Sequence, residues 1–164
     1  MDHLYSPWRM RYIEGREQRE GCFFCASLQE KDGPDNLVLY RGKRAFAILN
    51  RYPYNNGHMM IVPYKHVPTL DPLPQATLNE LMLMTRTAMQ VLARVYGAEN
   101  FNVGMNIGEA AGAGVADHVH IHVLPRWPGD TNFMATTAHT RVLPEAIPDT
   151  YARLRQGWKE LTRS

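Results

Sequence analysis

Three histidines at alternate positions, His118, His120 and His122, separated by Val119 and Ile121, constrain this chain more than any other feature. In an extended strand, side chains at i, i+2 and i+4 share one face, so the imidazoles form a row while the aliphatic residues point into a core; a helix would scatter them. The β-branched spacers favour strand as well. Imidazoles are costly to align and bury without partners, so the pattern points to chemistry. One reading is a His-only metal site, since imidazole is a common zinc and copper ligand. Alternate strand residues, however, stand about 6.5 to 7 Å apart, whereas two nitrogens on one zinc lie within roughly 3.5 Å of each other. That argues against all three sharing one ion. The other reading makes one histidine a nucleophile whose neighbours orient it and bind an anion.

The 164 residues, 45% of them hydrophobic, suffice for a single domain over 1–164, with an N-terminal arm over about 1–20 anchored by Trp8 and a C-terminal helical tail over about 144–164. A net charge of +2 without basic clustering argues against a nucleic-acid partner and leaves anionic small molecules open. No apolar run is long enough to span a bilayer, and the charged, aromatic start lacks the apolar core of a signal peptide, so no membrane partner and a cytoplasmic location are expected. The cysteines, Cys22 and Cys25, stand three apart. In a reducing compartment that spacing favours a metal or redox role over a disulfide framework. The intervening Phe23 and Phe24 fit a redox pair badly, which leaves two inert buried thiols or half of a tetrahedral zinc site.

Strand patterning covers Leu37–Tyr40, Ala45–Asn50 and His58–Pro63, with a tight turn at Arg41-Gly42-Lys43 and a loop over Arg51–Gly57; three strands in succession predict an antiparallel meander. A long helix is predicted from apolar residues recurring between Leu78 and Tyr96, stopped by Gly97, with Met82 and Met89 as core filling. Phe101–Asn106 reads as a strand with alternate outward polar groups, and Gly108–Gly114 as a loop of small residues able to aim N–H groups at an anion. A second helix within Pro144–Arg163 carries Tyr151, Leu154, Trp158 and Leu161 on one side. The fold class is therefore α+β, an antiparallel sheet with a long helix and a C-terminal helix. His3 and His139 are expected to be exposed and without a special role.

The run His118–Leu124 resembles the signature of the histidine triad superfamily, and Phe46–Arg51, Gly57-His58, Val62-Pro63 and Met105–Gly108 resemble the nucleotide-binding segments of its fragile histidine triad branch. Ser6–Met10 and Pro125–Met134 are similar to bacterial members of that branch, which include diadenosine tetraphosphate phosphorylases. The resemblance implies a homodimeric nucleotidyl transferase or hydrolase that cleaves dinucleoside polyphosphates through a nucleotidyl-histidine intermediate, with phosphate or water as acceptor. It makes His120 the nucleophile, has His122 contact phosphate oxygens, and lets His58 help hold the site. Asn50 becomes the ribose-hydroxyl ligand, Phe24 and Ile48 line the base slot, and Asn106 replaces a phosphate-contacting glutamine, a change of side-chain length. Gly112, Ala113 and Gly114, with Asn106 and Thr131-Asn132, are the groups able to build a second anion site if phosphate is the acceptor. Related proteins with a cysteine pair bind zinc, which implies a Zn2+ site of Cys22, Cys25, His66 and His118. Two alternatives stay open: a nucleoside phosphoramidate hydrolase, which the Pro125-Arg126-Trp127 continuation disfavours, and a non-catalytic nucleotide-binding module, which an intact His120 disfavours.

Overall fold

The structure, a computed structural model, describes residues 21–130 and 145–163. The expected N-terminal arm with Trp8 and His3, the Thr131-Asn132 pair and His139 lie outside the described residues. Among those described, the order is α1 (Phe23–Gln29), β1 (Val38–Arg41), β2 (Ala45–Leu49), β3 (Met59–Pro63), α2 (Gln75–Tyr96), β4 (Asn100–Gly104), a 3-10 turn (Glu109–Ala111), β5 (Ile121–Arg126) and α3 (Ile147–Thr162). The strands form one antiparallel sheet in the order β1-β2-β3-β5-β4. The α+β class and the β1-β2-β3 meander match the sequence reading. No helix among the described residues is long and apolar enough to cross a membrane.

Apolar burial explains the layering. Every residue of β2 and β3 is buried, because helix α2 packs over β2, β3 and β5. Helix α2 turns Leu81, Met84, Thr85, Ala88, Val91 and Leu92 inward and stops where Gly97 adopts a left-handed φ of 63° and returns its N–H to Ala93. Met82 was expected in that core; it is instead 61% exposed, while Met89 is half-buried. The apolar stripe is narrower than the periodicity suggested, and Met82 falls outside the sector that faces the sheet. Helix α3 packs on α2 and β1, with Trp158 stacked on Tyr40 at 5.4 Å and the Tyr151 hydroxyl donating to the Val38 carbonyl at 3.1 Å. Strand β4 lies at the sheet edge, exposed on apolar and polar positions alike, so the alternation expected for Phe101–Asn106 does not hold.

Strand β5 is shorter than predicted. The row was expected to be strand from His118; the ladder begins at Ile121, which pairs with Ile61. The next residue of β3 that would hydrogen-bond towards β5 is Pro63, opposite Val119, and it has no N–H to give. The preceding segment stays extended by other bonds: Val119 N–H donates to the Val67 carbonyl at 2.8 Å and His118 Nε2 meets the Pro63 carbonyl at 2.8 Å.

Gly57 sets the approach of the loop to β3. Its φ is +75°, and an added Cβ would stand 2.8 Å from Leu92 Cδ2. Gly57→Ala is therefore expected to destabilise the protein by about 1–3 kcal/mol, mostly from the left-handed backbone. Urea unfolding checks this, and an unchanged midpoint would show that the backbone can relax.

Around Glu145, at the entry to α3, the carboxylate accepts hydrogen bonds from the Tyr96 hydroxyl, from Thr150 Oγ1 at 2.7 Å and from Arg153 at 2.6 Å. Partial burial pushes this carboxyl up, but those three donors and the Arg153 charge outweigh it and bring it down from 4.5 to about 2. Burial and the same contact push Tyr96 up to about 12. Because the folded value of Glu145 is depressed, its contribution is present above the unfolded value of 4.5 and is lost as pH falls towards 2. We expect wild type to lose on the order of 2–3 kcal/mol across that window that Glu145→Gln does not lose. Parallel acid-denaturation curves for the two proteins would count against the assignment.

Candidate functional site

The imidazoles sit where β3, the start of β5 and helix α1 meet, with His58 just before β3 and His118 against its last residue, Pro63. Val119, Ile121 and Val123 are buried on the core side, as the alternation predicts. The histidines are buried too: His58 and His118 at 0%, His120 at 4% and His122 at 9% exposure. Burial lowers the basicity of His58 well below that of a free imidazole, helped by the neighbouring His122 and His120; burial likewise lowers His118 and His120, against the opposing bonds to the Pro63 and His118 carbonyls. Each of these three is thus a neutral ring with one N–H, and its partners decide which nitrogen carries it.

His120 Nδ1 lies 2.8 Å from the His118 carbonyl, which only accepts, so the proton is on Nδ1 and the lone pair on Nε2. His118 Nε2 lies 2.8 Å from the Pro63 carbonyl, so there the proton is on Nε2 and the lone pair on Nδ1. His58 Nδ1 accepts from the Tyr54 backbone N–H at 3.2 Å. Its Nε2 then carries the proton and meets His122 Nδ1 at 2.9 Å. His122 is left with its proton on Nε2. The rings of His120 and His122 are 4.7 Å apart, edge to face. A nucleophilic nitrogen and a neighbouring N–H donor thus share one corner of the molecule, the pairing that phosphoryl or nucleotidyl transfer requires.

The first histidine faces elsewhere. His118 Nδ1 is 3.3 Å from Cys22 Sγ and 3.7 Å from Cys25 Sγ, and Cys25 Sγ is 3.4 Å from His66 Nδ1. The four ligand atoms all lie within 4.8 Å of one another. Tetrahedral zinc with sulfur and imidazole ligands needs ligand–ligand separations of about 3.3 to 3.8 Å, so only a slight contraction separates this cluster from a site. The Pro63 carbonyl on the far nitrogen of His118 fixes the tautomer that aims a lone pair at the cysteines, as an outer-shell partner does. Burial and the adjacent Cys22 push the Cys25 thiol up, a trend that a bound cation would reverse. Cys22 is the residue before α1 and Cys25 lies within it. Phe24, between them and 1% exposed, therefore packs on His118 at 5.4 Å and on His120 at 4.9 Å.

Other expected site residues are placed less directly. Asn50 follows β2 with its amide nitrogen over the His58 ring, 3.2 Å from Nδ1 and 3.5 Å from Nε2, while its oxygen accepts from Tyr52 N–H at 2.9 Å. Ile48 is fully buried in β2, paired with Met60. Asn106 is half-buried between β4 and the 3-10 turn. In the small-residue loop, Gly112 N–H donates to Glu109 and Ala113 N–H to Gly108, so these two close the turn on itself; Gly114 follows, exposed. Sequence reading missed Tyr54, whose ring lies 4.7 Å from His58 and 5.9 Å from His122. It also missed the clamp on Tyr54's loop, in which Asn55 Nδ2 donates to the Pro125 carbonyl at 3.1 Å and to Asp130 at 3.0 Å. Nothing in the local sequence distinguishes Tyr54 from an ordinary loop aromatic.

The HIT domain family matches residues 31–129. AP-4-A phosphorylase of Mycobacterium tuberculosis is 37% identical over 165 residues, covering 96% of this chain and 85% of that protein. The bis(5'-nucleosyl)-tetraphosphatase [asymmetrical] of Schizosaccharomyces pombe is 37% identical over 93 residues, 57% of this chain and 50% of that one. Among solved structures, a Zn-bound histidine triad family protein from Mycobacterium smegmatis superposes with a TM-score of 0.69 at 22% identity, covering 87% of this chain and 96% of that one. With the fold shared along most of its length, the alternating histidines leading into β5, and matches that run well beyond that signature, this chain belongs to the HIT domain family.

Proposed function

We propose that the protein cleaves dinucleoside polyphosphates, diadenosine tetraphosphate foremost, by nucleotidyl transfer through His120. The observation that carries this is that His120 Nδ1 lies against the His118 carbonyl while His122 Nδ1 faces His58 Nε2, contacts that assign a lone pair to the Nε2 of His120 and an N–H to that of His122. The extent of the match to a phosphorylase of diadenosine tetraphosphate supports the substrate class. His120 Nε2 attacks the α-phosphorus, forming an N–P bond as the P–O bond to the departing nucleotide breaks; His122 Nε2–H donates to a phosphate oxygen; the acceptor then attacks phosphorus and frees His120. The Nδ1–H on the His118 carbonyl stabilises the positive charge that grows on the His120 ring during attack. On this reading Asn50 contacts a ribose hydroxyl, Phe24 and Ile48 line the base slot, and Asn106 with Gly112, Ala113 and Gly114 contacts the phosphates.

Cys22, Cys25, His66 and His118 fit one Zn2+, the preferred ion for a tetrahedral thiolate–imidazole set. When bound, the ion serves as a structural crosslink and carries no part of the reaction. A homodimer through the open edge of β4 and the segment that follows it, where Val103, Met105 and Ile107 are 46%, 39% and 42% exposed, completes the reading.

Phosphate is the acceptor we favour over water. Incubation with diadenosine tetraphosphate and labelled phosphate is expected to place label in ADP, alongside unlabelled ATP. Unlabelled AMP plus ATP would defeat the phosphorylase reading and leave a hydrolase. Turnover of nucleoside phosphoramidates in preference to dinucleoside polyphosphates would defeat both.

A further inference from the structure

The donor nitrogen of His122 is fixed through two contacts, from Tyr54 to His58 and from His58 to His122. His122 Nδ1 faces His58 Nε2 at 2.9 Å, and two ring nitrogens can hold that contact only if one donates and the other accepts. The direction is set at the far end of His58, whose Nδ1 receives the Tyr54 backbone N–H at 3.2 Å. The Asn50 amide cannot reverse it: its oxygen is held by Tyr52 N–H at 2.9 Å, so its nitrogen is the end over the His58 ring. An N–H against a ring face favours a neutral imidazole over the cation. The Tyr54 N–H is itself held in place, because the next residue, Asn55, is tied to the Pro125 carbonyl at 3.1 Å and Asp130 at 3.0 Å, beside the end of β5. The Tyr54 ring also covers both imidazoles.

We propose that Tyr54 is a positioning residue: its backbone N–H fixes His58 as the Nε2–H tautomer, and through His58 it fixes His122 as a permanent Nε2–H donor beside the nucleophilic Nε2 of His120. Without this relay His122 could turn a lone pair towards the anionic phosphate, where it repels instead of binding. The two working histidines thus receive opposite tautomers from two different backbone groups, the His118 carbonyl for one and the Tyr54 N–H for the other. The catalytic meaning of the relay rests on the nucleotidyl-transfer reading; its geometry does not.

Nitrogen-15 NMR of the full chain labelled at histidine, without nucleotide, tests it. His58 and His122 are expected to show a protonated Nε2 and a bare Nδ1 at neutral pH, and His120 the reverse. Replacing Tyr54 by its α-hydroxy acid, which exchanges the backbone N–H for oxygen and keeps the side chain, should spread His58 and His122 over both tautomers. It should also lower kcat on the order of 10-fold with KM within about 2-fold. As a second variant, His58→Gln should keep the His122 pattern through its own amide N–H, and His58→Leu should lose it. A wild-type His122 carrying its proton on Nδ1, or on both nitrogens, overturns the proposal, as does an ester variant with unchanged histidine spectra. If wild type shows these tautomers but fails to cleave dinucleoside polyphosphates, the functional reading falls and the relay stands.

Discussion

His120→Asn is expected to lower turnover of diadenosine tetraphosphate by about 10^3-fold or more, the scale of losing a covalent nucleophile. The substitution is chosen to separate chemistry from structure. An asparagine amide can still donate to the His118 carbonyl, which His120 Nδ1 now meets at 2.8 Å, and it leaves the bond between His58 and His122 untouched. What it lacks is the second nitrogen. Fold and nucleotide binding should therefore survive, at the cost of some packing where Phe24 rests on the lost ring. Rapid quench and mass spectrometry of wild type should reveal a nucleotidyl adduct on His120 that the variant does not form. Near wild-type turnover by the variant, or an adduct on another residue, would remove the covalent mechanism.

Cys22→Ser is expected to abolish stoichiometric zinc binding and lower the melting temperature by roughly 6–20 °C, from a loss of about 3–5 kcal/mol in a chain of this size. Metal would tie together segments far apart in sequence: Cys22 and Cys25 at α1, His66 beyond β3, and His118 ahead of β5. Loss of activity should accompany loss of stability, on the order of 10- to 100-fold, because the cluster borders the nucleophile twice. The carbonyl of His118 holds the His120 proton, and Phe24, between the two cysteines, lies against the His120 ring. Elemental analysis of protein purified without chelator, together with calorimetry, checks both parts. A fully folded, fully active wild type that holds no zinc would show that the four side chains pack as ordinary core.

These expectations draw unequally on sequence and structure. The meander, the long helix ending at Gly97, the C-terminal helix and the alternating histidines are legible because each depends on neighbours in the chain. Apolar periodicity marks a buried face, and a left-handed glycine stops a helix, wherever the element later packs. The periodicity does not say how wide the covering surface is, and so Met82 was assigned to the core but lies exposed beyond the edge of the α2–sheet contact. Likewise the histidine pattern marked a strand but not its first residue, since Pro63, on another strand, is what ends the ladder before His118.

The site divides along the same line. By itself the sequence determined which residue types were available: a row of imidazoles with buried spacers, a cysteine pair, and a polar residue closing an apolar strand. Tertiary structure alone decided what each nitrogen does. His118 turns to Cys22 and Cys25, 96 and 93 residues away in the chain, while His122 turns to His58, 64 residues away, and the Tyr54 N–H settles the tautomer of both rings in that pair. The physical reason is that an imidazole is donor and acceptor at once, and its side chain carries no local preference between the two. Only the groups that folding brings against its two nitrogens can choose, and those come from distant parts of the chain.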